Sequence, residues 1–415
     1  MDMIQTLKDV VSIESVTEPG EGGYPYGSRP AGALDYMLGK CRSFGFRTVN
    51  SDYAYGYAEI GEGEEIIGIL GHLDVVPAGD GWNMPPFEAV EQNGRIYGRG
   101  TIDDKGPMVA AVYAMKDLLG SGMKLNKRIR ILFGQTEENG DWYDIEAYLQ
   151  HEEPITYGFT PDSEFPAVYS EKGILIVNVA MPLATSGLTA ASGDNAPNMV
   201  PDCCSLTIGD SVYEGKGHSA HGSTPWEGSN AITAAVSEAK AGSACCFTRM
   251  YRDLFADCHH GEHAGIGFED AESGKLTMNP GLLLIEENTV KLFLDIRFPV
   301  SYSAEDVISG LNSALEPYGA IASEKYRMNP IYTPVSSPVM QSLLGAYRMV
   351  TEDMSEPLVC GGGSYARAMD NIVAFGPLMP GQEKVEHIAN EYIEIRQMHE
   401  LREIYRKALE NLLLI

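Results

Sequence analysis

Two residues in the stretch Gly71-His72-Leu73-Asp74 have the types and spacing for metal chemistry. A neutral imidazole at His72 can bind a cation through one ring nitrogen. Asp74 is placed to hold the other nitrogen and so fix the tautomer. The same four residues also fit an ordinary loop. Further candidates follow along the chain. Asp103-Asp104 stands just ahead of a helical pattern, where an aspartate equally serves as an N-cap. Glu137-Glu138 ends an apolar run. Two adjacent carboxylates are costly to hold together unless a cation neutralises one of them, and a solvated turn is the other reading. Asp162 and His387 complete the set.

These residues share a setting. Each follows an apolar, strand-like run: residues 66–70, 95–98, 129–134, 156–160 and 371–376. In open α/β sheets ligands bind at the carboxyl ends of strands, so five such coincidences point to one pocket. His72, Asp103, Glu138, Asp162 and His387 would form a nitrogen and oxygen donor set suited to zinc, with Co(II) or Mn(II) as substitutes. Five ligands exceed one tetrahedral ion. They suit two ions about 3.5–4 Å apart with a bridging carboxylate. Glu137 is then left free, where a general base for an attacking water would sit.

Helical periodicity supplies the supporting elements. It predicts an N-terminal helix through Ile4, Leu7, Val10 and Val11, a second through Ala33, Leu38 and Cys41, and a third over 107–119. A long C-terminal helix contains Ile393, Met398, Leu401, Ile404, Leu409 and Leu412. The Gly/Pro-rich loop from Pro19 to Pro30 carries no evident chemistry. From about Gly173 the pattern changes to alternating strands, 175–179 and 204–208, with amphipathic helices over 229–241 and 304–315.

The chain has 415 residues, enough for two or three domains. Its formal charge is −28, with 58 acidic against 30 basic residues, which argues against nucleic acid or an anionic membrane as partner. No apolar run approaches the roughly 18 residues of a membrane span, and the start of the chain lacks the features of a signal peptide. Seven cysteines, an odd number without a Cys-x-x-Cys, argue for a reducing, cytoplasmic setting rather than a disulfide framework. The run Cys258-His259-His260-x-x-His263 looks like a metal site at first glance but reads as an exposed loop. Trp82 and Trp226 would line a substrate entrance or pack in the core. No P-loop, dinucleotide fingerprint or His-Glu-x-x-His occurs.

Taken together, the stretches Gly71 to Pro77, Gly98 to Pro107, Thr136-Glu137-Glu138, Phe159 to Asp162, His221 to Gly228, Asp295 to Pro299 and His387 to Glu391 resemble the di-zinc aminoacylase/carboxypeptidase family. Within it, the chain looks most like the peptidase V and carnosinase (Xaa-His dipeptidase) branch. Asp162 resembles the Asp of that branch, where many deacylase relatives have Glu. The segment Gly361-Gly362-Gly363-Ser364-Tyr365-Ala366-Arg367 also resembles that branch.

The resemblance implies an α/β fold: a zinc-peptidase catalytic domain, its mixed sheet flanked by helices, with an inserted α+β lid domain. Residues 1–173 and 331–415 would form the catalytic domain and 174–330 the lid. It further implies that His72, Asp103 and Asp162 hold one zinc and that Asp103, Glu138 and His387 hold the other. Glu137 would be the general acid/base and Asp74 would orient His72. His221, in cis or in trans, would polarise the scissile carbonyl, with Asn198 assisting. Arg297 would hold the substrate carboxylate. The alternative for Arg297 is an ion pair with Asp295, disfavoured here on the ground that neighbouring strand residues face opposite ways. Glu164 is a candidate for facing the substrate amine. The implied activity is hydrolysis of small dipeptides with free ends, of Xaa-His or β-Ala-Xaa type, by a monomer or homodimer. The alternative is an N-acyl amino acid deacylase of the succinyl-diaminopimelate or acetylornithine type.

Overall fold

The computed structural model describes residues 2–193, 196–239 and 245–415. The chain divides into two compact units, one of Met1–Tyr169, Thr333–Leu358 and Ser364–Ile415, the other of Ser170–Tyr332 with Val359–Gly363.

The first unit is built on a mixed sheet. Its strands run in the order Arg47–Ser51, Tyr55–Ile60, Arg128–Gly134, Ile66–His72, Tyr157–Thr160 and Ile372–Ala374. The first two form an antiparallel hairpin laid against Arg128–Gly134. From there the pairings are parallel. Parallel strands are covered on both faces and so read as continuous apolar runs; every residue of Ile66–His72 is buried. The helix Lys105–Gly120 carries buried Met108, Val109, Val112 and Met115 into the same core, and Ile395–Leu412 packs along it. Gly71 permits that closeness: a Cβ there would collide with Met108 Sδ and Asp104 Oδ2.

Parallel neighbours end at one edge of the sheet. That edge receives His72, the Glu137-Glu138 turn and Asp162. Asp103 and His387 arrive differently from expectation. The strand Arg95–Tyr97 belongs to a separate antiparallel sheet with Val90–Gln92 and Tyr392–Glu394. Asp103 comes from the turn leading into the helix Lys105–Gly120. His387 sits in the loop beyond Pro377–Leu378 with φ 62°, a left-handed position for a side-chain-bearing residue. A short apolar run shows that a strand exists, not which sheet it joins. Ile393 likewise lies in Tyr392–Glu394, and the terminal helix begins at Ile395.

The second unit is a seven-stranded antiparallel sheet. Its order is Ser211–Lys216, Cys203–Ile208, Ala190–Gly193, Thr277–Glu286, Thr289–Phe298, Gly173–Pro182 and Ile321–Met328. Burial alternates along Gly173–Pro182, as in a sheet with one covered face. The helices Ala231–Glu238, Cys246–Leu254 and Ala304–Leu315 contribute to its core. Asn230 caps the first of these through its side chain; residue 241, expected to end it, lies outside the described residues. Ser303 and Asp306 form a capping box on the third. The fold is thus α/β with helices flanking a mixed sheet, joined in one chain to an α+β unit. Among the described residues no helix is long and apolar enough to cross a membrane.

Candidate active site

Asp103 stands between two imidazoles. Its Oδ1 lies 3.0 Å from His72 Nε2 and its Oδ2 lies 2.9 Å from His387 Nε2. Glu138 Oε2 approaches His387 Nε2 at 2.9 Å, and Asp162 Oδ2 lies 3.7 Å from His72 Nε2. The five residues are therefore brought together. Glu137 joins them: ligand atoms of His72, Glu137 and Asp162 lie within 4.8 Å of one another, as do those of His72, Asp103 and Glu138. A cleft lined by Ile102, Asp103, Asp162, Pro377 and Glu386 opens on this cluster.

The electrostatics are those of crowded carboxylates. Burial and the neighbouring Asp103 raise the Asp162 carboxyl to about 7. Burial, then Asp162 and Glu138, push Glu137 well above its ordinary value, against the opposing pull of His72. Glu138 is raised by burial and by Asp103. Asp103 alone is held well below the usual carboxylate range: burial opposes ionisation, but hydrogen bonds from His387 and His72 win. His387, whose burial would lower it, is raised to about 11 by Asp103 and Glu138. This set fits a divalent cation. It offers imidazole nitrogen and carboxylate oxygen, and the buried Glu138 Oε1 has no hydrogen-bond partner.

Asp74 acts in two ways. His72 Nδ1 lies 3.0 Å from the Asp74 main-chain oxygen and 3.5 Å from its carboxylate. The carboxylate also accepts the Glu138 amide N–H at 3.0 Å. Three supports escaped sequence reading. Glu391 is fully buried, pairs with the buried Arg99 at 2.7 Å, and accepts the Ile102 and Asp103 amide N–H groups at 3.0 and 3.4 Å. Thr17, just ahead of the Gly/Pro-rich loop, donates to the Gln135 carbonyl at 2.8 Å. Asp144 accepts from Thr136 Oγ1 at 2.7 Å and from the Tyr365 hydroxyl at 3.2 Å. Glu391 lies in the stretch that carries the family resemblance; nothing in the sequence pattern marks Thr17 or Asp144.

In the second unit, Asn198 and His221 are neighbours. Met199 pairs with His221 in an isolated bridge, and Gly222 donates to the Asn198 carbonyl at 2.8 Å. The His221 side chain is exposed, its Nδ1 2.6 Å from Ser223 Oγ. Arg297 is buried and does pair with Asp295, through Nε and Nη2 at 2.8 Å each, while Nη1 donates to the Gly361 carbonyl at 2.9 Å. Residues two apart on a strand share a face, so the argument against this pair was mistaken. Three of the five guanidinium N–H donors are thereby used.

Other expectations change. Of the run read as an exposed loop, His263 is exposed, whereas Cys258 is buried and His259 and His260 are half-buried; His260 Nδ1 lies 2.8 Å from the Leu276 carbonyl oxygen. Glu164 pairs with Lys384 at 2.8 Å. Trp226 is exposed, whereas Trp82 is half-buried and donates to the Ala78 carbonyl at 2.7 Å.

A cluster of two imidazoles and four carboxylates at a sheet edge suits a metal-dependent hydrolase, and the chain's relatives agree. The model of peptidase family M20/M25/M40 matches residues 68–411, and the chain belongs to that family. It is an enzyme, a metallopeptidase. A Staphylococcus haemolyticus protein is 33% identical over 457 aligned residues, covering 99% of this chain and 97% of its own length. One from Staphylococcus epidermidis is 34% identical over 454, covering 98% and 96%. The names of both assign them provisionally as dipeptidases. Human carnosine dipeptidase 1 is similar in structure, with a TM-score of 0.63 at 16% identity, over 100% of this chain and 96% of that one. Aminoacylhistidine dipeptidase from Vibrio alginolyticus gives 0.62 at 13%, over 99% and 96%. At such identities these two structures speak for the fold alone.

Proposed function

We propose that the protein is a di-zinc dipeptidase acting on small peptides with free amino and carboxyl ends, of Xaa-His or β-Ala-Xaa type, in a reducing cytoplasm. The observation that carries the reading is the Asp103 carboxylate, one oxygen on His72 and the other on His387. The dipeptidase names of its relatives support the substrate class. His72, Asp103 and Asp162 would hold one ion, and Asp103, Glu138 and His387 the other. Two ions held there supply Lewis acidity to the scissile carbonyl and make water acidic enough to ionise at neutral pH.

The chain's own residues do the rest. Glu137 takes a proton from the attacking water at its carboxylate and returns it to the leaving amine as the C–N bond breaks. Asp74 fixes the tautomer of His72. His221 donates to the carbonyl oxygen as negative charge develops, with Asn198 beside it. Arg297, held by Asp295, binds the substrate carboxylate with its two remaining N–H groups.

The test combines metal content per chain with a substrate panel of Xaa-His, β-Ala-Xaa, N-succinyl and N-acetyl amino acids. The expected result is two zinc ions and cleavage of unblocked dipeptides only. Cleavage confined to N-acyl substrates would replace this reading with a deacylase. No cleavage at saturating zinc would overturn it altogether.

A further inference from the structure

We propose that Asp144 is a positioning residue for Glu137, with Tyr365 as the partner that locks it; this rests on Glu137 being the general acid/base. Asp144 is 2% exposed and stands in the first turn of the helix Tyr143–His151. Among the described residues its hydrogen-bond partners are four donors. The Gln135 amide N–H, Thr136 Oγ1, the Ile145 amide N–H and the Tyr365 hydroxyl each direct a hydrogen bond to its carboxylate. Only a group that accepts at both oxygens satisfies such a set. An asparagine would turn an NH2 toward one of them.

Gln135 and Thr136 directly precede Glu137, so Asp144 grips the backbone on its upstream side. The turn closes on itself through Gly140 N–H to the Glu137 carbonyl at 2.9 Å and Trp142 N–H to the Thr136 carbonyl at 3.3 Å. Downstream, Asp74 accepts the Glu138 amide N–H. Glu137 therefore lies between two buried carboxylate anchors. One of them, Asp74, already faces His72. The other, Asp144, makes no hydrogen bond to the metal cluster among the described residues; its bonds run to the turn and to Tyr365, whose ring also meets His72 edge-on with centres 6.3 Å apart. Tyr365 keeps that anchor in place. Its ring sits against Gly134, where a Cβ would meet it at 2.5 Å, and touches Trp142 edge-on with ring centres 5.4 Å apart.

Asp144→Asn and Tyr365→Phe test this in the full-length, zinc-loaded protein. The expected kcat falls about 10- to 100-fold for Asp144→Asn, the range for groups that orient others, with KM within threefold and metal content unchanged. Tyr365→Phe should lose about threefold to tenfold, and the double variant no more than Asp144→Asn alone. Hydrogen exchange at the Glu137 and Glu138 amides needs no turnover, and both should exchange at least about tenfold faster in Asp144→Asn. A folded Asp144→Asn protein with unchanged kcat and unchanged exchange would overturn the proposal, as would loss that tracks metal content or KM. Faster exchange in a protein whose wild type cleaves no peptide would refute the peptidase reading and leave the anchor standing.

Discussion

The two polar clusters are built on opposite electrostatic plans. In the first unit, Asp103, Glu137, Glu138 and Asp162 share two imidazoles, His72 and His387, and three of the four carboxylates are driven toward protonation. In the second, Arg297 is matched by Asp295 and a main-chain carbonyl, so the buried charge is balanced. Breaking a buried pair is costly because a bare charge remains. The difference separates two tasks. An excess of carboxylate is tolerated where a cation is to be taken up. A neutral pair holds one cationic group rigid, as the proposed role of Arg297 toward a substrate carboxylate would require.

Chelation is the bluntest way to break that contrast. Removing metal should abolish turnover, and zinc should restore it, while the Arg297–Asp295 cluster in the metal-free protein keeps its protection from hydrogen exchange. Glu137→Gln comes next. It should lower kcat by about 10²- to 10⁴-fold with both ions still bound, measured by elemental analysis and steady-state kinetics. Asp295→Asn probes the balanced side: KM for dipeptides should rise about tenfold, the size of one charged hydrogen bond lost, with metal content untouched. Equal losses in kcat and metal content would erase the distinction between the clusters.

The smallest effect is on stability against pH. Without metal, Asp162 at about 7 and His387 at about 11 stand above their ordinary 3.8 and 6.5. The folded chain then keeps protons that the unfolded chain has released, so stability falls as pH rises from 5 to 8. Metal needs those groups deprotonated, so its affinity rises over the same range. The gap between urea midpoints of zinc-loaded and chelated protein should therefore widen from pH 5 to pH 8.

The buried parallel strands were readable because they are continuous apolar runs, and His72, Glu138 and Asp162 follow from them. Asp103 was legible as a residue but not as a position, since its preceding strand pairs in another sheet. His387 was read as following the run 371–376, but it stands in the loop beyond Pro377–Leu378, and a left-handed backbone at a histidine leaves no trace in periodicity. Arg297 was singled out by resemblance, and its pairing with Asp295 was set aside by a misapplied alternation rule. Asp144 and Thr17 stayed hidden because a hydrogen bond to a main-chain group depends on where two distant segments meet.

Glu391 sets a timetable for synthesis. The loop carrying Asp103 is tied at its Ile102 and Asp103 amides by a side chain nearly three hundred residues later in the chain. A ribosome making this protein has released the helix Lys105–Gly120 long before the clasp exists. Nascent chains stalled short of that glutamate would hold most of the fold's strands yet lack the fastening of the shared carboxylate.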